Sequence, residues 1–268
     1  MTDRYAVIGN PVAHSKSPWI HAEFARATGQ DIEYVRIEAP LDAFARTVDE
    51  FRAAGGRGAN VTLPFKEAAY RYCPNLSDRA RAAGAVNTLR FDGGGAYGDN
   101  TDGVGLVRDV TVNLGRRIEG RQVLLMGAGG AAQGVLAPLA QAGAARIVIA
   151  NRSVEKARSL AARLPGARVE ARAYDSLGGE MFDIVINATS AGLQGVAPPL
   201  PAGVVRGGAL AYDMVYGRDT PFLAMARAAG AEAWDGTGML VEQAAESFLL
   251  WRGARPDTAP ILARLRAQ

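Results

Sequence analysis

Cysteine is almost missing from this chain of 268 residues: Cys73 stands alone. One thiol makes no internal disulfide and no thiolate-rich zinc site, so no metal site is expected. It reads as a semi-buried thiol and not a nucleophile, because neither His14 nor His21 stands in a cysteine-hydrolase context. Long hydrophobic runs are missing as well. No apolar stretch reaches the roughly 18 residues a membrane helix needs. The opening MTDRYAVIGN has no basic region followed by an apolar core, so no signal peptide is expected. A cytoplasmic location is expected, without membrane contact. The N-x-S/T matches at Asn60, Asn151 and Asn187 then carry no glycosylation signal. Clustered positive charge is also lacking. The formal charge is +3, and the longest basic cluster, Arg116-Arg117, is too short for a nucleic-acid surface.

Lysine is the scarce cation. Of 30 basic side chains only Lys16, Lys66 and Lys156 are not arginine. Lys66 lies in GANVTLPFKEAAY (58–70). A guanidinium stays protonated, whereas an ammonium can be tuned by its surroundings to give and take a proton. Within that stretch alone, chance and chemistry explain the lysine equally well.

What is present is globular: 49% hydrophobic and 21% charged residues, in a chain long enough for two ordinary domains. Strand-like and helix-like segments alternate. YAVIG (5–9), IEYVRI (32–37) and GANVTL (58–63) read as strands. Between them lie SPWIHAEFARATG (17–29), capped by Ser17 and stopped by Gly29, and LDAFARTVDEFRAAG (41–55), with Leu41, Phe44, Val48 and Phe51 on one side. Such alternation predicts βα units around a mainly parallel sheet. A second series starts near 121: strand RQVLLMG, helix GAAQGVLAPLAQAG, strand RIVIAN, helix SVEKARSLAARL, then RVEARAY, FDIVINAT and GALAYDMVY, the helix TPFLAMARAAG, and AEAWDG. Pro138 falls inside the first of these helices, where a bend is expected. The run DGGGAYGDNTDG (92–103) fits either a hinge or a tight hairpin, and the last thirty residues read as helical.

VLLMGAGGAAQG (123–134) carries the strongest isolated signal. A buried strand runs into Gly127-Ala128-Gly129, and Ala132 takes the third small position of the dinucleotide fingerprint. The first glycine permits the turn, the second admits a pyrophosphate, and the small third residue lets helix and strand pack closely. The next strand ends IVIANRSVEK, with Asn151, Arg152, Ser153 and Lys156 where an NAD site usually places an acid. A carboxylate would repel a 2′-phosphate. Arg152 and Lys156 attract one, so NADP is expected. The N-terminal third supplies hydroxyls and amides on loops: Ser15, Ser17, Thr62, Asn87, Thr101 and Asp102. Singly these read as caps or turn residues. Together they suit a polyhydroxylated ligand, since each unmatched buried polar group costs about 1–3 kcal/mol.

The ordered set YAVIGNPVAHSKSP, GANVTLPFK, AGAVNT, GDNTDG, MGAGGAA, NRS, INATSAG, YDMVY and DGTGMLVEQAAESFLLW resembles shikimate dehydrogenase over nearly the entire chain. The resemblance implies reversible, NADPH-dependent reduction of 3-dehydroshikimate to shikimate in aromatic amino acid biosynthesis. It implies a catalytic pair of Lys66 and Asp102, the lysine acting as general acid and base. It implies substrate contacts at Ser15, Ser17, Thr62, Asn87, Asp102, Tyr216 and Gln243, with the two serines and the tyrosine on the carboxylate. Cofactor contacts are implied at Asp78, at Gly127, Ala128, Gly129, Gly130 and Ala131, and at Asn151, Arg152, Ser153, Val154, Glu155 and Lys156. Ala188, Thr189, Ser190, Met214 and Gly236 are implied on the nicotinamide side. His14 is expected to be structural and Lys16 a surface residue. The implied fold is an α/β substrate domain over 1–101, a doubly wound Rossmann domain over 102–236, and C-terminal helices over 237–268 that return to the first, with the active site in a cleft. A monomer or homodimer is expected, with a small-molecule substrate and no nucleic acid. A quinate or aminoshikimate dehydrogenase paralogue remains the nearest alternative. A cofactor sensor without the chemistry would have lost the lysine–aspartate pair.

Overall fold

The computed structural model describes residues 2–267, the side chains of 193 and 194 excepted. Met1 and Gln268, the outer limits of the expected domains, lie outside the described residues. The described chain divides into two compact units, one made of the residues up to Gly105 with those from Val241 onward, the other of Leu106–Leu240.

The first unit contains β1 (Asp3–Gly9), α1 (Ser17–Thr28), β2 (Ile32–Glu38), α2 (Phe44–Ala53), β3 (Gly56–Val61), α3 (Lys66–Tyr72), β4 (Asn75–Leu76), α4 (Asp78–Ala83), β5 (Thr88–Asp92) and β6 (Gly95–Asp99). Helix α5 (Asp102–Arg108) begins in it. The sheet order is β2-β1-β3-β5-β6-β4, parallel through β2, β1 and β3. Strand β5 then runs antiparallel to both β3 and β6. The glycine run is therefore a hairpin, and the sheet is mainly parallel as expected, with antiparallel pairing only where β5 meets β3 and β6. The period of two along β1 explains the two faces. Ala6 and Ile8 join Phe44, Val48, Phe51, Phe65 and Leu89 in one core. Tyr5 turns the other way and stacks on Trp251 at 4.6 Å.

Three local expectations fail here. Ser17 is the first helical residue and caps nothing; Lys16 holds the N-cap position. Leu41 precedes α2 and is 71% exposed, so it belongs to no apolar face. Thr62 and Leu63 leave the sheet after Val61 and lead into the cis Leu63–Pro64 peptide.

The second unit continues with β7 (Gln122–Met126), α6 (Gly130–Gln141), β8 (Arg146–Ala150), α7 (Val154–Ala161), β9 (Val169–Arg172), β10 (Ile184–Asn187), β11 (Leu210–Asp213), α8 (Pro221–Ala228) and β12 (Glu232–Trp234). Helix α9 (Thr237–Arg252) starts in it and carries the chain back to the first unit, where α10 (Ala259–Arg266) follows. Its sheet is wholly parallel in the order β12-β11-β10-β7-β8-β9, the doubly wound arrangement in which the first strand lies centrally and the order reverses beside it. Both faces are covered, so the strands are nearly all apolar. Val123, Leu125, Ile147, Ile149 and Ile186 pack with Val135 and Leu139 of α6 and Leu160 of α7. Leu124, Met126, Val148 and Val185 pack with Phe222 and Leu223 of α8 on the other side. Each such side chain, removed from water, contributes about 1.5–3 kcal/mol. Helix α6 runs to Gln141 with Pro138 inside it, and Pro138 still accepts the Ala142 N–H at 2.9 Å.

Candidate active site

In the first unit the β5–β6 hairpin brings residues 87–88 beside residues 99–102, through the Asn87 N–H donated to the Asp99 carbonyl at 3.0 Å. Lys66 opens α3 and Asp102 opens α5. Lys66 Nζ lies 2.5 Å from Asp102 Oδ2, with side chains 15% and 7% exposed. The other carboxylate oxygen, Oδ1, accepts from Asn87 Nδ2 at 2.9 Å. Asn87 can turn only one way. Its Oδ1 accepts the Thr101 N–H at 2.8 Å and the Thr88 hydroxyl at 2.9 Å, which leaves its two amide protons for Asp102 Oδ1 and for Thr101 Oγ1 at 2.9 Å. Asn100 Oδ1 takes the Asp102 N–H at 3.2 Å, fixing the turn from which the aspartate projects. Gln243, on α9, brings its Oε1 to 3.3 Å from Asn87 Nδ2.

Behind this cluster stands a layer that sequence reading missed. Asn60 Nδ2 donates to Ser247 Oγ at 2.9 Å, and Ser247 and Thr88 share a hydrogen bond of 2.8 Å. Thr88 and Ser247 are fully buried. Thr88 sits next to Asn87 in the chain and was within reach of inspection. Ser247 lies 187 residues from Asn60 and had no local signal. A second layer is ionic. Arg79 grips Asp99 at 2.6 and 2.5 Å and reaches Glu246 of α9 at 2.8 Å. Burial raises the Asp99 carboxyl, but the Arg79 guanidinium outweighs it and holds the group below the usual carboxylate range.

Of the other expected substrate residues, Ser15 is buried on the turn before α1 and Ser17 at its first position, with the Ser17 N–H donated to Ser15 Oγ at 3.3 Å. Thr62 is half-buried just past β3, and Tyr216 belongs to the second unit, past β11. Lys16 and His14 are both exposed. Asp78 is fully exposed and faces Arg81 at 3.6 Å, apart from the cluster. Cys73 is buried, and burial pushes its thiol up to about 12, which keeps it protonated.

In the second unit, the expected cofactor residues gather at the carboxyl ends of β7, β8, β10 and β11, the usual ligand edge of such a sheet. Gly127 has φ +103, and a Cβ there would come 3.1 Å from the Ala188 carbonyl. Only glycine makes that turn. Gly130 and Ala131 open α6, whose N-terminus has no side-chain cap, so its first N–H groups remain for an anion. Ala128 and Gly129 form the turn before it, and Ala132 is fully buried, as close helix–strand packing requires. At the end of β8, Asn151 Nδ2 donates to the Ser153 carbonyl at 2.9 Å. Ser153 takes the N-cap position before Val154 without using its side chain. Glu155 pairs with Arg158 at 2.5 Å, while Arg152 and Lys156 have no ion pair among the described residues. With no acid in the three residues directly after β8, and with Arg152 and Lys156 free of ion pairs among the described residues, this corner suits the 2′-phosphate of NADP.

The residues expected on the nicotinamide side are organised around Asp213. It accepts from Asn187 Nδ2 at 3.2 Å, the Thr220 hydroxyl at 2.6 Å and the Val215 N–H at 3.0 Å; burial raises its carboxyl. Asn187 Oδ1 in turn takes the Thr189 N–H and hydroxyl at 3.1 and 2.7 Å, shaping the turn through Ala188, Thr189 and Ser190. The Asn187 carbonyl accepts the Met214 N–H at 2.9 Å. Gly236 lies so close that a Cβ would stand 2.5 Å from the Met214 carbonyl. Among the described residues, no group of three or more His, Cys, Asp and Glu is placed to hold a metal ion, and no helix is long and apolar enough to cross a membrane.

Comparison with known proteins finds one family across both units. The shikimate dehydrogenase substrate-binding domain model matches residues 7–89, the shikimate/quinate 5-dehydrogenase model residues 110–196, and the shikimate 5′-dehydrogenase C-terminal domain model residues 236–266. The shikimate dehydrogenase (NADP(+)) of Methylobacillus flagellatus is 58% identical over 99% of both chains. The crystal structure of an Ael1 enzyme from Pseudomonas putida is 50% identical, covers 98% of both chains and superposes with a TM-score of 0.94. Shikimate 5-dehydrogenase of Thermus thermophilus, solved with NADP(H) and shikimate, is 35% identical over 99% of both chains with a TM-score of 0.88.

Proposed function

The chain belongs to the shikimate dehydrogenase family, and from that premise we propose that Lys66 and Asp102 move the proton in its NADP-dependent, reversible reduction of 3-dehydroshikimate to shikimate. One observation carries the assignment of roles: the buried Lys66–Asp102 pair at 2.5 Å, whose second carboxylate oxygen is locked by an amide that can point only one way.

Bound NADPH supplies the hydride that adds to the substrate's carbonyl carbon. Lys66 donates a proton to the oxygen as charge develops there, and in the reverse direction its amine takes the proton of the alcohol. Asp102 orients the ammonium and balances its charge. An arginine at 66 would stabilise the same oxygen but not cycle a proton. Ser15, Ser17 and Tyr216 hold the substrate carboxylate, and Thr62, Asn87 and Gln243 meet its hydroxyls. Gly127 to Ala131 hold the pyrophosphate of the cofactor, and Arg152, Ser153 and Lys156 its 2′-phosphate. The enzyme works in the cytoplasm as a monomer or homodimer, which sedimentation analysis tests.

Lys66→Ala tests the central role. Hydride transfer is expected to slow by at least about 10²-fold, the usual scale for lost acid–base help, with NADPH binding retained. Lys66→Arg is expected to be nearly as slow. Unchanged turnover in either variant refutes the assignment. A matrix of shikimate and quinate against NADP and NAD tests the substrate; a larger specificity constant for quinate with NAD would place the enzyme with the quinate paralogues.

A further inference from the structure

We propose that Arg36 is a specificity-determining residue that recognises the substrate's carboxylate through the serine turn, an inference that rests on Ser15 and Ser17 being the carboxylate site. Arg36 lies on β2, and both its Nε and its Nη2 donate to one acceptor, the Ser15 carbonyl, at 3.0 and 2.6 Å. No carboxylate lies within ion-pair distance of it among the described residues. Most arginines on this molecule face an acid, as Arg4 faces Glu33 on the same strand pair. Arg36 spends its donors on a neutral carbonyl and keeps its charge.

The position of that charge gives it a use. Residues 34 and 36 of a strand share a face. Tyr34 on that face donates to Asn60 Oδ1 at 2.8 Å and stacks on His21 of α1 at 4.3 Å. The face therefore packs against the start of α1, where Ser17 is the first residue and the Ser17 N–H closes onto Ser15 Oγ. Neutral hydroxyls alone discriminate poorly between a carboxylate and its uncharged ester or amide, because both offer acceptor oxygens. An uncompensated guanidinium one residue away adds the missing sign, and its exposed side chain stays hydrated enough to cost little in the empty enzyme. Arg36 thus acts on binding and not on the proton step.

The test compares shikimate with shikimate methyl ester in the oxidation direction, for wild type, Arg36→Met, Arg36→Lys and Ser15→Ala. Arg36→Met is expected to raise KM for shikimate about 5- to 10-fold with kcat within about twofold, the pattern of lost uniform binding. Its KM for the ester is expected to equal that of wild type, and Arg36→Lys is expected to recover most of the loss. NADP affinity and the melting temperature, which should not move, report folding. An equal rise in KM for acid and ester, or no rise for the acid, overturns the proposal. Ser15→Ala separates the two layers of inference. If it weakens binding while Arg36→Met does not discriminate acid from ester, only the role of Arg36 falls; if Ser15→Ala leaves both ligands unaffected, the carboxylate site itself falls with it.

Discussion

His21 makes the stability of the first unit depend on pH in a window where few other groups titrate. The imidazole is fully buried on α1, between Tyr34 at 4.3 Å, Trp251 at 5.3 Å and Phe24 at 5.7 Å. Neither ring nitrogen has a hydrogen-bond partner among the described residues. Burial pushes its pKa down from 6.5 to about 3. The folded state then binds no proton at pH 5, whereas the unfolded chain does. Stability from this group is fully present above pH 6.5 and falls as pH drops toward 3. At about 1.36 kcal/mol per pKa unit, lowering the pH from 7.5 to 5 costs about 2 kcal/mol, a sizeable share of an ordinary stability of roughly 5–15 kcal/mol. The lowered carboxylates of the same unit, Asp3, Glu23 and Asp99, contribute their own loss only below the ordinary carboxylate range. Urea unfolding followed by tryptophan fluorescence reads the effect, because Trp19 and Trp251 both lie in the first unit. His21→Phe keeps the ring and removes the titration. The expected result is a midpoint that falls between pH 7.5 and 5 in wild type and stays level in the variant. Parallel slopes in the two proteins refute the reasoning.

Four further outcomes are expected. Arg152→Asp weakens NADP far more than NAD, measured as the ratio of their dissociation constants; equal losses would mean that Arg152 only solvates a helix start. Arg79→Ala leaves the carboxylate of Asp99, 3% exposed, without its cation and costs about 3–5 kcal/mol in urea unfolding, whereas a cost below 1 kcal/mol contradicts the buried pair. Thr88→Val removes one hydrogen bond from Asn87 and lowers kcat up to about tenfold, while Thr88→Ser keeps the hydroxyl and the rate; equal rates would show that the amide needs no such support. Gly236→Ala drives a methyl against the Met214 carbonyl and is expected to destabilise by about 1–3 kcal/mol and raise KM for NADP, both visible by calorimetry and steady-state kinetics.

Much of the molecule was legible in its sequence because the signals are local. A strand, a Gly127-Ala128-Gly129 turn and a small residue at 132 fit one backbone path, and the absence of an acid after β8 is a matter of residue type alone. Short continuous apolar runs with helical spacing between them mark the strands of the second unit, whose two faces separate into two cores in the structure. The exceptions have physical causes. Leu41 fits the apolar stripe of α2 but lies ahead of the first turn, and Ser17 loses the cap position because α1 begins one residue earlier than its side chain could serve. A period of two does not distinguish a parallel neighbour from an antiparallel one, so the run 92–103, which fits either a hinge or a hairpin, is decided as the β5–β6 hairpin only by its pairing. Tertiary structure alone decided which residues surround the Lys66–Asp102 pair. Asn60, Thr88 and Ser247 meet across as many as 187 residues of chain and Arg79 reaches Glu246 across 167, and only folding brings such donors and acceptors within the few ångströms at which a hydrogen bond exists.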